Sequence, residues 1–164
     1  MKRLYLLRHA KSSWNEPDLA DFDRPLNQRG LEAAPFMGRF MAAKSYLPEL
    51  IVSSPARRAF ATAQLVRENA LINDEIQLND RVYEASPQTL LQIAAGFADA
   101  AGSAMLVGHN PGMEGFVRLL TGRSEAMPTA AMAVIDLAIE RWAGIGDGRG
   151  TLIEVVRPKE HMAI

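Results

Sequence analysis

The sequence has no cysteine among its 164 residues, which excludes disulfide bonds, thiolate metal sites and a cysteine nucleophile. It has no excess of charge of one sign either, because 18 basic residues balance 19 acidic ones. We therefore expect no nucleic-acid partner and no membrane-surface partner. The apolar run near the N-terminus covers only residues 4–7, too short for a signal-peptide core or a membrane span. These absences predict a cytoplasmic protein.

The chain does contain enough apolar material for one hydrophobic core. Hydrophobic residues make up 48% of the sequence, and no repeat, low-complexity tract or charge block marks a linker. We therefore expect a single domain over residues 1–164.

Short apolar runs without alternation predict buried parallel strands at residues 4–7, 50–52 and 104–107. A Ser-Pro pair follows the second run and an Asn-Pro pair follows the third, and each pair predicts a helix that starts there. The sequence therefore predicts two strand-to-helix units.

Two more helices and a hairpin complete the predicted fold. One helix covers residues 31–47, where Pro35 is tolerated only in the first turn, and another runs from Ser86 to about residue 97. Apolar segments at residues 133–142 and 151–156 flank a glycine-rich stretch and predict an antiparallel hairpin at one edge. The whole order predicts an α/β fold with an open, mostly parallel sheet and helices on both faces, which binds ligands beyond the carboxyl ends of its strands.

The residues at those strand ends suit phosphate chemistry. They are Arg8 and His9, Ser54 with Arg58, and His109 with Asn110. Arginine offers a charged, planar fork of donors that matches phosphate oxygens, and a neutral imidazole can attack phosphorus. A second histidine, protonated by the negative charge in the pocket, would donate to an equatorial oxygen. Such cations would replace the metal ion used by other phosphoryl-transfer enzymes, so we expect no metal and no cofactor.

Residues 6–15, Leu-Leu-Arg-His-Ala-Lys-Ser-Ser-Trp-Asn, resemble the signature of the histidine phosphatase superfamily. That family includes cofactor-dependent phosphoglycerate mutases and acid phosphatases. Its signature is Arg-His-Gly, with serine or threonine three residues after the histidine and asparagine six after it, and Ser12 and Asn15 occupy those places. Ala10 replaces the glycine, as in the small branch typified by the phosphohistidine phosphatase SixA. The resemblance covers roughly the whole chain, with further matching blocks at residues 23–30, 53–63, 107–111 and 127–130.

The resemblance implies a phosphoglycerate-mutase-like fold and a role for each matching residue. His9 is the nucleophile that becomes transiently phosphorylated, and Arg8, Arg58 and His109 bind the phosphoryl oxygens. Because the family arginine precedes an alanine, it corresponds to Arg58, and Arg57 is expected to point to solvent.

Ser12, Asn15 and Asn110 are candidate substrate-binding residues, although the first two also suit turns and caps. The acidic residues 18–23 predict a solvated loop, with a flap anchored by Arg24 as the alternative.

The general acid is the least defined role. Larger members of the family carry a Trp-Glu-Gly motif that this sequence lacks, and Glu84 falls in the corresponding stretch. We therefore take Glu84 as the candidate acid, with a plain surface residue as the alternative reading.

The predicted function is a phosphatase that hydrolyses protein phosphohistidine through phospho-His9. One alternative is a phosphatase or mutase acting on small phosphorylated metabolites, and the short chain argues against the mutase. Another is a non-catalytic phosphate-binding module, which would not acquire an acid-labile phosphoryl group. The expected partner is a phosphorylated protein or a small phosphorylated molecule, and the oligomeric state is not predicted.

Overall fold

The structure, a computed structural model, describes residues 1–162. In this part of the chain one mixed sheet has the strand order β3-β2-β4-β1-β5-β6. Its strands are β1 (Lys2–Arg8), β2 (Leu50–Ser53), β3 (Ile76–Leu78), β4 (Ser103–Gly108), β5 (Met132–Leu137) and β6 (Gly150–Val156). Strands β3, β2, β4 and β1 run parallel, whereas β5 is antiparallel to β1 and to β6. The mostly parallel sheet and the C-terminal edge hairpin are therefore confirmed.

Two details of the sheet differ from the predictions. Strand β3 was not predicted, because it has only three residues, of which two are exposed, and so gives no apolar run. Strand β5 ends at Leu137 instead of residue 142. Beyond it, Trp142 is fully buried in a short 3-10 turn (Trp142–Gly144), so its apolar character reflects core packing and not a longer strand.

Four helices in the described residues cover the two faces of the sheet. They are α1 (Gln28–Lys44), α2 (Arg57–Asn69), α3 (Pro87–Ala95) and α4 (Gly112–Thr121). Alternate residues of β1 point to opposite faces: Leu7 packs in one core cluster with residues of α1 and α2, and Leu6 packs in the other with residues of α3 and α4. The predicted helices on both faces are confirmed.

The helix boundaries shift from the predicted ones. Asn27 caps α1 by accepting a hydrogen bond from the Gly30 amide at 2.9 Å. Because α1 starts at Gln28, Pro35 lies inside the helix and not in its first turn, where its ring removes the hydrogen bond to the carbonyl of residue 31. Helix α2 begins at Arg57 and not at Pro55.

Strand register brings the carboxyl ends of β1, β2 and β4 together. Arg8 pairs with Gly108, and Ser53 pairs with Val107. The residues that follow, including His9 and His109, consequently lie at one edge of the sheet, as predicted. No helix within residues 1–162 has the length and apolar character needed to cross a membrane.

Candidate active site

His9 follows β1 and is only 7% exposed. Its backbone amide donates to the carbonyl of Gly108 at 3.0 Å, and its Nδ1 lies 2.7 Å from the carbonyl oxygen of Ala10. A carbonyl only accepts, so Nδ1 carries the proton and Nε2 keeps its lone pair. Burial, together with the nearby cations of Arg58 and Arg8, lowers the pKa of His9 to about 4 and outweighs the hydrogen bond to Ala10, which raises it. At neutral pH His9 is therefore in the form that can attack phosphorus.

His109 faces His9, with the two ring centroids 5.2 Å apart. Arg58 Nη2 lies 3.4 Å from His109 Nδ1, and because a guanidinium only donates, Nδ1 is the acceptor. Nε2 then carries the proton and donates to Ser54 Oγ at 2.8 Å. Burial, followed by the neighbouring His9 and Arg58, lowers the pKa of His109 to about 3. At neutral pH His109 is thus neutral. The protonated form that the sequence predicts, with negative charge in the pocket, stays a prediction.

Arg58 and Arg8 supply the charged donors at this edge. Arg58 is 6% exposed in the first turn of α2, whereas Arg57 is exposed, so the predicted helix register is confirmed. Arg8 Nη1 donates to the carbonyl of Met127 at 3.1 Å, but Arg8 Nε is buried without a partner in the described residues. A buried donor without a partner is costly, and a phosphate oxygen would satisfy it.

Thr62 ties the nucleophile loop to α2. One helical turn after Arg58, its buried hydroxyl donates to the Arg58 carbonyl at 2.7 Å and accepts from the Ala10 amide at 2.9 Å. These bonds hold the backbone on which His9 and Arg58 depend. Thr62 thus lies on the same helix face as Arg58, as the spacing predicts.

The site opens into a cavity of about 230 Å³, which we call the phosphate pocket. Its lining consists of Arg8, His9, Lys11, Ser12, Trp14, Arg24, Arg58 and Thr129. Since four of these side chains are basic and none is acidic, the phosphate pocket is built for an anion.

Sequence reasoning gave Arg24 only an anchoring role, yet it is 7% exposed and lines the phosphate pocket. Its guanidinium donates to Ser12 Oγ and to the carbonyl of Ser13 and lies 3.3 Å from the centroid of the Trp14 ring. The signal that could have identified it is its place in the matching block at residues 23–30.

Asp21 was not predicted as a site residue. Its carboxylate accepts hydrogen bonds from Tyr83 Oη at 2.7 Å, from Arg24 Nη1 at 2.8 Å and from Arg58 Nη2 at 2.9 Å. Burial raises the pKa of Asp21, but the hydrogen bonds from Tyr83 and Arg58 outweigh it and leave the pKa below its usual value. These contacts favour a flap over the predicted solvated loop.

The structure places the candidate substrate-binding residues differently. Ser12 is buried and lines the phosphate pocket. Asn15 is exposed outside that lining. Asn110 Nδ2 donates to Glu114 Oε1 and to the Met127 carbonyl, each at 3.0 Å, and its Oδ1 accepts from the Glu114 amide. The Asn110 amide therefore holds the loop after β4.

Glu84 is exposed and has a left-handed backbone with φ of 53°. It does not line the phosphate pocket, and its side chain has no hydrogen-bond partner in residues 1–162. Its role as general acid stays a prediction. Across the same residues, no group of three or more histidine, aspartate or glutamate side chains is placed to hold a metal ion.

Comparison with known proteins agrees with this geometry. Residues 4–90 match the model of the histidine phosphatase superfamily, branch 1. A structure from Agrobacterium tumefaciens, named as a SixA phosphohistidine phosphatase, is 35% identical with a TM-score of 0.82, covering 96% of this chain and 98% of its own. A Mycobacterium leprae protein of uncharacterised function is 30% identical over 83% of this chain and 89% of its own length. Phosphoglycerate mutase 1 of Saccharomyces cerevisiae is 32% identical over 51% of this chain but only 36% of the mutase.

Proposed function

Because the chain belongs to the histidine phosphatase superfamily, branch 1, we propose that it is a phosphatase that hydrolyses protein phosphohistidine through a phospho-His9 intermediate. The observation that carries the proposal is the hydrogen bond between His9 Nδ1 and the Ala10 carbonyl. That bond leaves Nε2 with a free lone pair in a pocket walled by arginines.

In the first step Nε2 of His9 attacks phosphorus. The bond from Nε2 to phosphorus forms while the bond from phosphorus to the substrate imidazole breaks, and the imidazole leaves with the electron pair. Arg8 and Arg58 hold the equatorial oxygens as their negative charge redistributes. His9 keeps its proton on Nδ1 throughout, held by Ala10.

In the second step the oxygen of a water molecule attacks phosphorus, and the phosphorus–nitrogen bond breaks with its electron pair returning to Nε2 of His9. The two protons of the water leave with the phosphate. The burial and nearby cations that lower the pKa of His9 also make its imidazole a better leaving group. The same environment thus keeps Nε2 of His9 unprotonated and assists release of phosphate.

We propose that His109 changes protonation state with substrate. A bound phosphoryl group brings negative charge next to the His109 ring, whose pKa is otherwise low, and that charge raises the pKa. A protonated His109 would then donate to a phosphoryl oxygen, as expected from the sequence.

Phosphohistidine is the proposed substrate because the 35% identical A. tumefaciens structure carries that name. Hydrolysis is favoured over mutase transfer because the mutase match spans only 36% of the yeast enzyme, leaving most of it without a counterpart here. We also propose that the chain works as a single domain in the cytoplasm, a setting that suits a sequence without cysteine.

The direct test is to mix the purified protein with a phosphohistidine-bearing protein and to look for phosphate release and for an acid-labile phosphoryl group on the enzyme. We expect both with wild type, in the presence of a chelator, and neither with His9→Asn. His161→Asn, which changes a histidine outside the phosphate pocket, is the matched control and should still acquire the phosphoryl group. Turnover by His9→Asn, or binding without any labelling, would refute the proposal.

A further inference from the structure

A second cavity, of about 360 Å³, opens beside the phosphate pocket, and we call it the side pocket. Lys11 and Thr129 line both cavities. The rest of its wall comes from the start of α1 and from residues 158–162, which we call the C-terminal turn. The two cavities are therefore adjacent, so a side chain close to the phosphohistidine of a substrate lies near the side pocket when the phosphoryl group lies at His9.

The side pocket has a surplus of positive charge. Lys11, Arg29 and Lys159 are exposed at its wall, and within residues 1–162 none of them lies within 4.0 Å of a carboxylate oxygen. The single acidic residue of the wall, Glu32, accepts a hydrogen bond from the Gln28 amide at 3.1 Å. Among the described residues, 1–162, these three cations therefore have no carboxylate partner and can bind an anionic group.

The lining of the side pocket suits a ligand that has an apolar part as well as a negative charge. Ala33, Pro158 and Met162 provide apolar wall between the charged groups. A glutamate or aspartate side chain matches this combination, since its methylene stem contacts apolar surface while its carboxylate pairs with arginine or lysine.

The fold fixes the backbone segments that carry these cations. A Cβ built on Gly30 would lie 2.3 Å from the Lys11 carbonyl oxygen, so only glycine lets the first turn of α1 approach the Lys11 loop this closely. The C-terminal turn is fixed on α1, because the His161 ring lies 5.2 Å from Phe40, centroid to centroid. Arg29 and Lys159 therefore flank a preformed side pocket.

We propose that the side pocket binds an acidic side chain near the phosphohistidine of the substrate protein, and so selects phosphorylated segments rich in glutamate or aspartate. This inference rests on the proposed function and adds a specificity determinant to the same site. The charges act on substrate affinity and orientation, because they lie beyond the phosphoryl group itself.

The test uses two phosphohistidine peptides, one with glutamates beside the histidine and one with glutamines at the same positions. Phosphoramidate, which is too small to span both cavities, is the third substrate. We expect wild type to favour the glutamate peptide about tenfold in kcat/KM, with the preference weakening as salt rises. The double variant Arg29→Gln/Lys159→Gln should lose the preference and keep phosphoramidate activity within about twofold.

The matched control is Arg141→Gln/Arg149→Gln. It removes the same charge from exposed residues of the β5–β6 connection. That connection leaves β5 at Leu137, which pairs with Lys2 at the far end of β1 from His9. This control should retain the wild-type preference.

Equal kcat/KM for the two peptides in wild type, or parallel loss of phosphoramidate activity in the Arg29→Gln/Lys159→Gln variant, would overturn the proposal while leaving the phosphatase intact. If wild type cleaves none of these substrates, the proposed function fails instead. The side pocket is then tested by fluorescence anisotropy, which measures the affinity of the labelled, unphosphorylated glutamate peptide for wild type and for the Arg29→Gln/Lys159→Gln variant. About tenfold weaker binding by the variant supports it, and equal binding overturns it.

Discussion

Arg58 and Asp21 are joined by two hydrogen bonds, from Nη1 to the Asp21 carbonyl at 2.6 Å and from Nη2 to the Asp21 carboxylate at 2.9 Å. The arginine proposed to hold phosphate is therefore already engaged by an anion of the protein itself. Asp21 offers a carboxylate where a substrate offers phosphoryl oxygens, so the two compete for the same donors.

Asp21→Asn should strengthen binding of phosphate and vanadate, because it removes the competing charge and keeps the side chain's shape. We expect inhibition constants to fall about three- to tenfold. Asp23→Asn is the control, since Asp23 is exposed and its side chain has no hydrogen-bond partner in residues 1–162. Weaker binding by Asp21→Asn would mean that Asp21 orders the arginines and does not compete with the ligand.

His9→Ala should fold and yet lose turnover. The Ala10 amide remains bonded to Thr62, so the loop keeps its support, while the nucleophile is gone. We expect kcat/KM to fall at least about a thousandfold, or about 4 kcal/mol in the barrier. Circular dichroism checks the fold. A folded variant with more than about a tenth of wild-type activity would show that His9 is not the nucleophile.

Arg58→Ala should reduce activity far more than Arg57→Ala. Arg58 is 6% exposed and points into the phosphate pocket, whereas Arg57 is exposed. We expect kcat/KM to fall at least about a hundredfold for Arg58→Ala and to change less than about threefold for Arg57→Ala. Steady-state kinetics on one phosphoryl substrate suffices, and greater damage from Arg57→Ala would contradict the site geometry.

The two buried histidines should make stability depend on pH. Their pKa values in the folded protein, about 4 for His9 and about 3 for His109, lie below the value of 6.5 that is usual for histidine. Between these values the unfolded chain binds more protons, so the free energy of unfolding is lost as pH falls below about 6.5.

Replacing one of these histidines should therefore flatten the acid side of the stability profile. Between pH 7 and pH 5, the free energy of unfolding measured in urea should fall by roughly 2 kcal/mol less in His109→Gln than in wild type. His161→Gln is the control, because His161 lies outside the phosphate pocket. An identical pH slope in His109→Gln and wild type would show that His109 is not buried as a neutral ring.

The central parallel strands could be predicted because each is a continuous apolar run. Strands that are buried on both faces of a sheet consist almost entirely of apolar residues. The proximity of His9, Arg58 and His109 could be predicted from these strands, since the carboxyl ends of parallel strands lie at one edge of the sheet. Strand β3 lies at an edge with two of its three residues exposed, so its structure depends on pairing with β2, which no local pattern reveals.

The roles of Asp21 and Arg24 were not predictable in the same way. Asp21 contacts Arg58 and Tyr83, which are 37 and 62 residues away in the chain. Only the packing of its short turn (Asp21–Asp23) beside α2 brings these groups together. In the sequence the segment shows acidity alone, which also describes any solvated loop.

The last prediction concerns the bond that is broken. Hydrolysis of a phosphate ester releases an alkoxide unless an acid protonates the leaving oxygen. Two carboxyl groups come into question here. Asp21 is kept ionised by its partners, which hold its pKa below the usual value, and Glu84 is exposed outside the phosphate pocket.

A phosphorylated histidine needs less help, because its other ring nitrogen can carry a proton and the imidazole then leaves neutral. We therefore expect kcat/KM for phosphohistidine to exceed that for phosphoserine by at least about a hundredfold, the scale of general acid catalysis. If Glu84 supplies the proton, as the sequence predicts, Glu84→Gln should impair ester hydrolysis more than phosphoramidate hydrolysis, since only the ester requires the proton. Glu75→Gln, at another exposed position, is the matched control. Equal losses on both substrates, or a wild-type preference for esters, would show that proton supply does not set the specificity of this site.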